Sequence, residues 1–488
     1  MGSRALSVEP LTLSLSRWER EPWMFICAHG MACTPPLPKG EGRGEGQSLS
    51  VLRLFTLLML AFFVVVQPAG AVEIKPVKSP GGIVAWLVED HTVPVVSISV
   101  AFRGGAALDP PDKGGLAEMT SDLLDEGAGD LDSQAFQKAV DDISAQMSFG
   151  AGRDNFSASL RTLASERDRA FALFRLALTA PRFDAEPVTR VRAQILASIR
   201  QGQEQPNRIA SETWSATVFP GHPYGQPTRG TLESVPKITP DDMRGFVKTR
   251  LARSDMYIGV VGDIKADELA RRLDEIFGAL PADSQAAPVP EAAMAGQGKL
   301  IVIKKPIPQS VAIFGEKGLK RADPDWYAAV VMNRIFGEGG FASRLMEEVR
   351  EKRGLAYGVS TTLEPMDHAA LLIGQVATRS AQIKESLDII HAEWKRMAEN
   401  GATPTELENA KTYINGSFPL RLDSSGRIAG LLVSIQLDKL GIDYLDRRDG
   451  LINAVTLGDV GRVAKRLLDV DALTTVVVGE PEGLQSKP

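Results

Sequence analysis

Four side chains in KGGLAEMTSDLLDEGAG, residues 113–129, have the types and spacing for chemistry: Glu118, Ser121, Asp122 and Asp125. At about 100° per residue they gather on one face of a helix entered from a Gly-Gly turn, opposite Leu116, Met119, Thr120 and Leu123. Carboxylates one helical turn apart attract a hard cation weakly, whereas a calcium loop needs oxygen ligands converging from several directions. The same residues also suit a plain solvated face, because acids are favoured near a helix N-terminus. A second set lies in FGEGGFASRLMEEVREKRGLAYGVST, residues 336–361. Gly337, Gly339 and Gly340 suit a turn that needs positive φ or close backbone approach. The segment Ser343–Lys352 has helical spacing, with Leu345 and Val349 inward and Glu347 and Glu351 outward. Arg353-Gly354 closes it before a strand that carries Tyr357. Taken alone, Arg353 is a helix-end cation and Tyr357 a strand aromatic.

Something must position these residues, and the chain writes the same scaffold twice. ITPDDMRGFVKTRLARSDMYIGVVGD, from Ile238, aligns without gaps with VTLGDVGRVAKRLLDVDALTTVVVGE, from Val455. Both read as a Thr-capped helix, a short turn and an apolar strand that ends in Val-Val-Gly plus an acid. Asp242 and Asp459 stand three residues after Thr239 and Thr456, as in a capping box. FSASLRTLASERDRAFALFRLAL (156–178) likewise matches LLIGQVATRSAQIKESLDIIHAEW (371–394), and Arg208-Ile209-Ala210 echoes Arg427-Ile428-Ala429. An offset near 217 residues means a duplicated domain and not a short-period solenoid. Between the copies, ADSQAAPVPEAAMAGQGK (282–299) is small-residue and Pro-rich and reads as a linker. The fold class expected is therefore α+β: two homologous domains, 72–281 and 300–488, each a mostly antiparallel sheet backed by helices on one face.

Composition narrows the function classes. A formal charge of −6, with no basic run, argues against nucleic acid or an anionic membrane as partner. The 13-residue apolar run LFTLLMLAFFVVV (54–66), after Arg53 and before Ala69-Gly70-Ala71, has the plan of a secretory signal peptide, here 51–71. It is too short to span a bilayer as a stable anchor. Residues 1–50 lack sustained periodicity and read as a disordered, mis-assigned extension, so translation is expected to start near Val51 and the mature chain at Val72. Both cysteines, Cys27 and Cys33, fall in that extension, which leaves the mature chain to packing alone. The expected location is the periplasm or the medium beyond it.

Gly115-Leu116-Ala117 and the helix that follows resemble the active-site helix of the pitrilysin (insulinase) zinc peptidases, relatives of the mitochondrial processing peptidases. That family's motif reads G-L-A-H-x-x-E-H; its two histidines bind zinc, its Glu is the general base, and a Glu further on is the third ligand. The resemblance places Glu118 and Asp122 at the two His positions and Ser121 at the Glu position, while Ala197 and Ser198 stand where the third ligand belongs. A catalytic zinc needs three protein ligands around an open position, and a serine hydroxyl is no base near neutral pH. His91, His222, His368 and His391 are scattered, none at ligand spacing with another.

The motif R-G-L-A-Y after a Gly-rich helix resembles the arginine/tyrosine pair in the second half of the same family, and HPYGQPTRGTLESVPKIT (222–239) matches its first-domain pattern. The resemblance implies that Arg353 and Tyr357 hydrogen-bond the substrate backbone near the scissile bond, and that Gly337, Gly339, Gly340 and Phe341 shape a substrate channel. It further implies a non-metal subunit. This chain would carry no cofactor, zinc would sit in a homologous H-x-x-E-H partner, and short or unfolded peptides would be cleaved between the two halves of a clam shell. The alternatives are a non-proteolytic peptide-binding or assembly protein of the same shape, and a lone enzyme that uses Glu118 and Asp122 with an unusual metal.

Overall fold

The computed structural model describes residues 73–487, so the expected extension 1–50 and signal peptide 51–71 lie outside the described residues. Two sheets organise the chain. β1 (Lys75–Lys78), β2 (Val84–Glu89), β3 (Val95–Arg103), β4 (Gln146–Ala151), β5 (Asn155–Leu163) and β6 (Met256–Gly262) form the first, in the order β1-β2-β6-β3-β5-β4. β7 (Leu300–Lys304), β8 (Gln309–Lys317), β9 (Ala356–Pro365), β10 (Ala370–Arg379) and β11 (Thr474–Gly479) form the second, in the order β7-β11-β8-β10-β9. Apart from β1 the two orders correspond strand for strand. Each sheet is antiparallel except for one parallel pair, β2 with β6 and β7 with β11.

The first half carries α1 (Leu116–Ser121), α2 (Ser133–Asp141), α3 (Arg167–Thr179), α4 (Ala185–Gly202), α5 (Pro206–Val218), α6 (Pro240–Arg250) and α7 (Ala266–Phe277). The second carries α8 (Trp326–Asn333), α9 (Ile383–Asn400), α10 (Pro404–Ser417), α11 (Ser425–Leu437), α12 (Tyr444–Asn453) and α13 (Leu457–Leu467). The repeated unit is α6–β6 and α13–β11. Thr239 and Thr456 close reciprocal capping boxes with Asp242 and Asp459, each worth about 1 kcal/mol to its helix.

Alternation along the strands shows how the halves interlock. On β8, Ala312 and Phe314 join one core with Phe336 and Trp394, while Val311 and Ile313 point to the other face. There they meet Trp214 of α5, a helix of the first half, whose Nε1 donates to Thr474 O at 2.9 Å. The exchange is mutual. Ala429 and Leu432 of α11 pack on Val261 of β6, and Gln436 Nε2 donates to Ile258 O at 3.0 Å. Gly259 permits that approach, since a Cβ there would lie 2.2 Å from Ala429 O. Each sheet is thus covered on both faces, by its own helices and by one borrowed from the other half. That corrects the expectation of helices on one face only. It also explains why β3 and β8 are buried along nearly their whole length. The crossing helices are the two that carry the Arg-Ile-Ala repeat, and residues from Ile74 onward form one compact unit.

Residues 282–299 contain no helix or strand, but they are fastened down: Ala292 N donates to His368 O at 2.8 Å and Ala295 N to Val218 O at 2.9 Å. Two helices differ from the spacing-based reading. α1 stops at Ser121 and continues as turns, with Leu123 N on Thr120 O at 3.2 Å and Glu126 N on Leu123 O at 3.3 Å in place of i to i−4 bonds, and Gln137 Nε2 donates to Asp125 O at 2.9 Å. The helix expected over Ser343–Lys352 winds as a wider π-turn at Met346–Glu351, with Lys352 N on Glu347 O at 2.9 Å.

A buried acid sets a pH dependence. Burial pushes Glu316 up to about 8, against the opposing donors Trp394 Nε1 at 2.6 Å and Asp469 N at 3.1 Å. A carboxyl raised on folding contributes stability that is fully present below its ordinary value and is lost as pH climbs through the folded value. Unfolding free energy is therefore expected to fall between the ordinary 4.5 and about 8. Glu316→Gln should flatten that slope in urea titrations run across the same window.

Candidate functional site

The first set of residues is built where two glycine turns touch. Gly115 (φ 93°) begins α1, and a Cβ on it would lie 2.6 Å from Arg229 O. Gly230 (φ 75°) faces it, with a Cβ position only 2.0 Å from Gly114 O. Both conformations and both approaches require glycine. Asp109 secures the turn by accepting from Gly115 N at 3.0 Å and Ala117 N at 3.2 Å. Burial pushes Asp109 up to about 6, although Arg250, 3.2 Å away, opposes the rise.

This backbone contact delivers Arg229 onto the acidic face. Its Nε lies 3.1 Å from Glu118 Oε1, and its Nη1 donates to Ser198 Oγ at 3.0 Å. Burial pushes Glu118 up to about 7; Arg229 opposes the rise and Asp122 adds to it. Asp122 is raised by burial as well, again against Arg229, and burial pushes Asp125 up to about 6. Glu118 and Asp125 are half-buried, Ser121 is buried and Asp122 is exposed, so the face is only partly the solvated surface that periodicity alone allowed. Ser121 is buried, and its hydroxyl donates to Glu118 O at 2.7 Å.

These residues do not fit a catalytic zinc. Glu118 is engaged by a guanidinium, the Ser121 hydroxyl is turned onto its own helix, and no imidazole approaches. His91 pairs with Asp263 at 2.6 Å, His222 meets Pro290 O at 3.0 Å, and His391 is half-buried on α9, where desolvation lowers its pKa. Among the described residues no group of three His, Cys, Asp or Glu side chains is placed to hold a metal ion.

The second set lies in the other half. Arg353 Nη1 donates to Glu348 O at 2.7 Å and to Glu348 Oε2 at 2.6 Å. Glu348 also accepts from Lys352 at 2.7 Å, and the hydrogen bonds from Lys352 and Arg353 hold its carboxyl below the ordinary range. Tyr357 sits near the start of the edge strand β9 with its side chain turned outward; the residue is 81% exposed. Arg350 Nη1 donates to Tyr357 O at 2.7 Å, and its guanidinium lies 4.8 Å from the Tyr357 ring and 4.5 Å from the Phe341 ring. Phe341 is 66% exposed and follows Gly340 (φ 56°), which is also exposed. Gly337 and Gly339 are interior instead. A Cβ on Gly337 would lie 2.1 Å from Thr361 Oγ1, and one on Gly339 2.5 Å from Arg334 O. Of the four residues expected to shape a channel, Gly340 and Phe341 meet solvent while Gly337 and Gly339 allow the loop to pack.

Sequence reasoning missed Arg229, Glu348 and Arg350. The signal for Arg229 was present in its position next to Gly230 within HPYGQPTRGTLESVPKIT, but its partner on α1 is set by the glycine contact.

Comparison with known proteins gives the same picture. Residues 84–232 match the family profile described as insulinase (peptidase family M16), and residues 237–414 match the profile described as peptidase M16 inactive domain. The non-peptidase homolog YmxG of Helicobacter pylori is 26% identical over 391 residues, 80% of this chain and 90% of that protein. An uncharacterized zinc protease of Streptomyces coelicolor, SCO5738, is also 26% identical, over 82% of this chain and 88% of its own. The crystal structure of a peptidase M16 inactive domain from Pseudomonas fluorescens superposes with a TM-score of 0.80 at 28% identity, covering 85% of this chain and 99% of that one. A protease structure from Helicobacter pylori shares the fold with a TM-score of 0.76 at 19% identity. The two-half α+β fold, the Gly-Leu-Ala helix and the R-G-L-A-Y strand thus make this chain a member of peptidase family M16, one that carries Glu118, Ser121 and Asp122 at the zinc-motif positions.

Proposed function

We propose that the chain is the non-metal subunit of a periplasmic, heterodimeric zinc endopeptidase of the insulinase type. One asymmetry carries this reading. The positions that would bind metal hold Glu118, Asp122 and the Ala197-Ser198 pair, whereas Arg353 and Tyr357 keep the family's spacing and Tyr357 stands out in solvent. In this reading a homologous subunit supplies the H-x-x-E-H motif and its zinc. Arg353 and Tyr357 reach the peptide from the opposite side, donating to a carbonyl oxygen as it gains negative charge. The half-buried Arg350 lies against the rings of Tyr357 and of the exposed Phe341. Peptides add as an extra strand to a sheet edge, which reads backbone more than side chains and suits short or unfolded substrates.

Reconstitution tests the proposal. The purified chain alone should be inert toward unfolded peptides, and mixing with an H-x-x-E-H homologue should give chelator-sensitive cleavage. A stable complex without cleavage would favour the assembly-protein reading. Cleavage by the chain alone, lost to chelator and restored by zinc, would refute both.

A further inference from the structure

The metal-site positions of the first half are not simply vacated, because a side chain from elsewhere reaches across them. Arg229 comes from the turn before Gly230. It contacts Glu118 on α1 through Nε at 3.1 Å and Ser198 on α4 through Nη1 at 3.0 Å. These are the two elements on which the family's motif places its ligands, and Asp122 feels the same positive charge. Arg208 braces the arrangement from α5, with Nη1 on Ser198 O at 3.3 Å and Nε on Glu212 at 2.7 Å. The backbone that presents Arg229 has little freedom, since neither Gly115 nor Gly230 can accept a Cβ at the contact.

We propose that Arg229 is a built-in cation that takes the electrostatic place of the metal in this half, so that the pocket excludes a divalent ion by occupation as well as by loss of ligands. The physical case rests on charge and geometry. Glu118 is largely shielded from water, with Asp122 one turn on at the exposed rim, and a carboxylate so placed needs a positive partner, because a shielded charge left unpaired is destabilising. A guanidinium supplies that charge permanently and in a fixed fork, cannot be deprotonated near neutral pH and cannot be chelated away. The competing view is an ordinary surface ion pair of little consequence, since the Arg229 side chain is 41% exposed. The two views differ in what happens when the carboxylates are removed as well. The inference concerns this chain alone and stands whether or not the heterodimer forms.

A stability cycle on the full chain is the first measurement. Arg229→Met, which keeps bulk without charge, should lower the melting temperature by about 3 °C, the shift expected for stranding the shielded Glu118 carboxylate beside Asp122 in a chain of this size. Adding Glu118→Gln and Asp122→Asn should recover at least half of that loss. Losses that simply add, or no loss from Arg229→Met, would overturn the proposal. The second measurement rebuilds the metal site with Glu118→His, Ser121→Glu, Asp122→His and Ser198→Glu, with Arg229 kept or changed to Ala. Zinc alone is offered and bound metal is counted by native mass spectrometry. The rebuilt chain should take up one equivalent only in the Arg229→Ala background. Equal loading with Arg229 in place would overturn the proposal, and if neither background loads, the stability cycle decides.

Discussion

Arg353→Ala in the reconstituted pair is expected to lower kcat by about 10²–10³-fold while leaving the complex intact, the usual effect of removing one preorganised donor from a developing oxyanion. Tyr357→Phe should cost a similar factor, because it deletes only the phenolic hydroxyl and leaves the ring stacked on Arg350. The structure explains why Arg353 is ready to act. Glu348 engages Nη1 in two hydrogen bonds and so fixes the plane of the guanidinium, leaving the donors on Nε and Nη2 for a substrate carbonyl. Arg353→Lys should therefore fall with the Ala variant, since all three ammonium donors sit on one nitrogen, which cannot stay on Glu348 and also reach the carbonyl position served by the far side of the guanidinium fork. Losses confined to kcat, with KM changed little, mark a contact made chiefly in the transition state. Turnover equal to that of the parent pair would remove both residues from the mechanism.

The largest stability effect is expected at Trp214. It is 1% exposed, comes from the first half and fills the outer face of the second sheet among Val311, Ile313, Val476 and Val478. Trp214→Ala removes that volume together with the hydrogen bond to Thr474 O. The expected loss is about 3–5 kcal/mol, as for large aromatic deletions in a core. Because Trp214 joins the two halves, the variant should also broaden or split the unfolding transition relative to the parent. Denaturant unfolding followed by fluorescence and by far-UV circular dichroism checks both points. A loss under about 1 kcal/mol would mean that α5 contributes little to holding the second sheet.

Much of the architecture was legible because it was written twice. The Thr239 and Thr456 caps, the Val-Val-Gly strands and the strand–helix unit at 156–178 and 371–394 follow from local spacing alone, and each appears in the structure. A third capping box, Thr403 with Glu406, carries the same Thr-x-x-acid signature and was overlooked. Local pattern failed where backbone groups bonded out of the α-helical register. The helix expected to carry Asp125 ends at Ser121, where Leu123 N bonds Thr120 O and Glu126 N bonds Leu123 O, and the helix before Arg353 opens into a π-turn.

The residue types at the metal-site positions were fixed by the primary sequence, because zinc chemistry depends on which atoms are offered, and Glu118, Ser121 and Asp122 offer no imidazole. It likewise determined that Arg353 and Tyr357 lie four residues apart. Only the tertiary structure decided what surrounds them. Arg229 reaches Glu118 from 111 positions along the chain. α5 and α11 trade sheets, and Gly337 and Gly339 turn inward while Phe341 and Tyr357 turn out. Each of these outcomes depends on which distant surface fills a gap or meets a charge. Those long-range contacts exist only once the two halves have packed together.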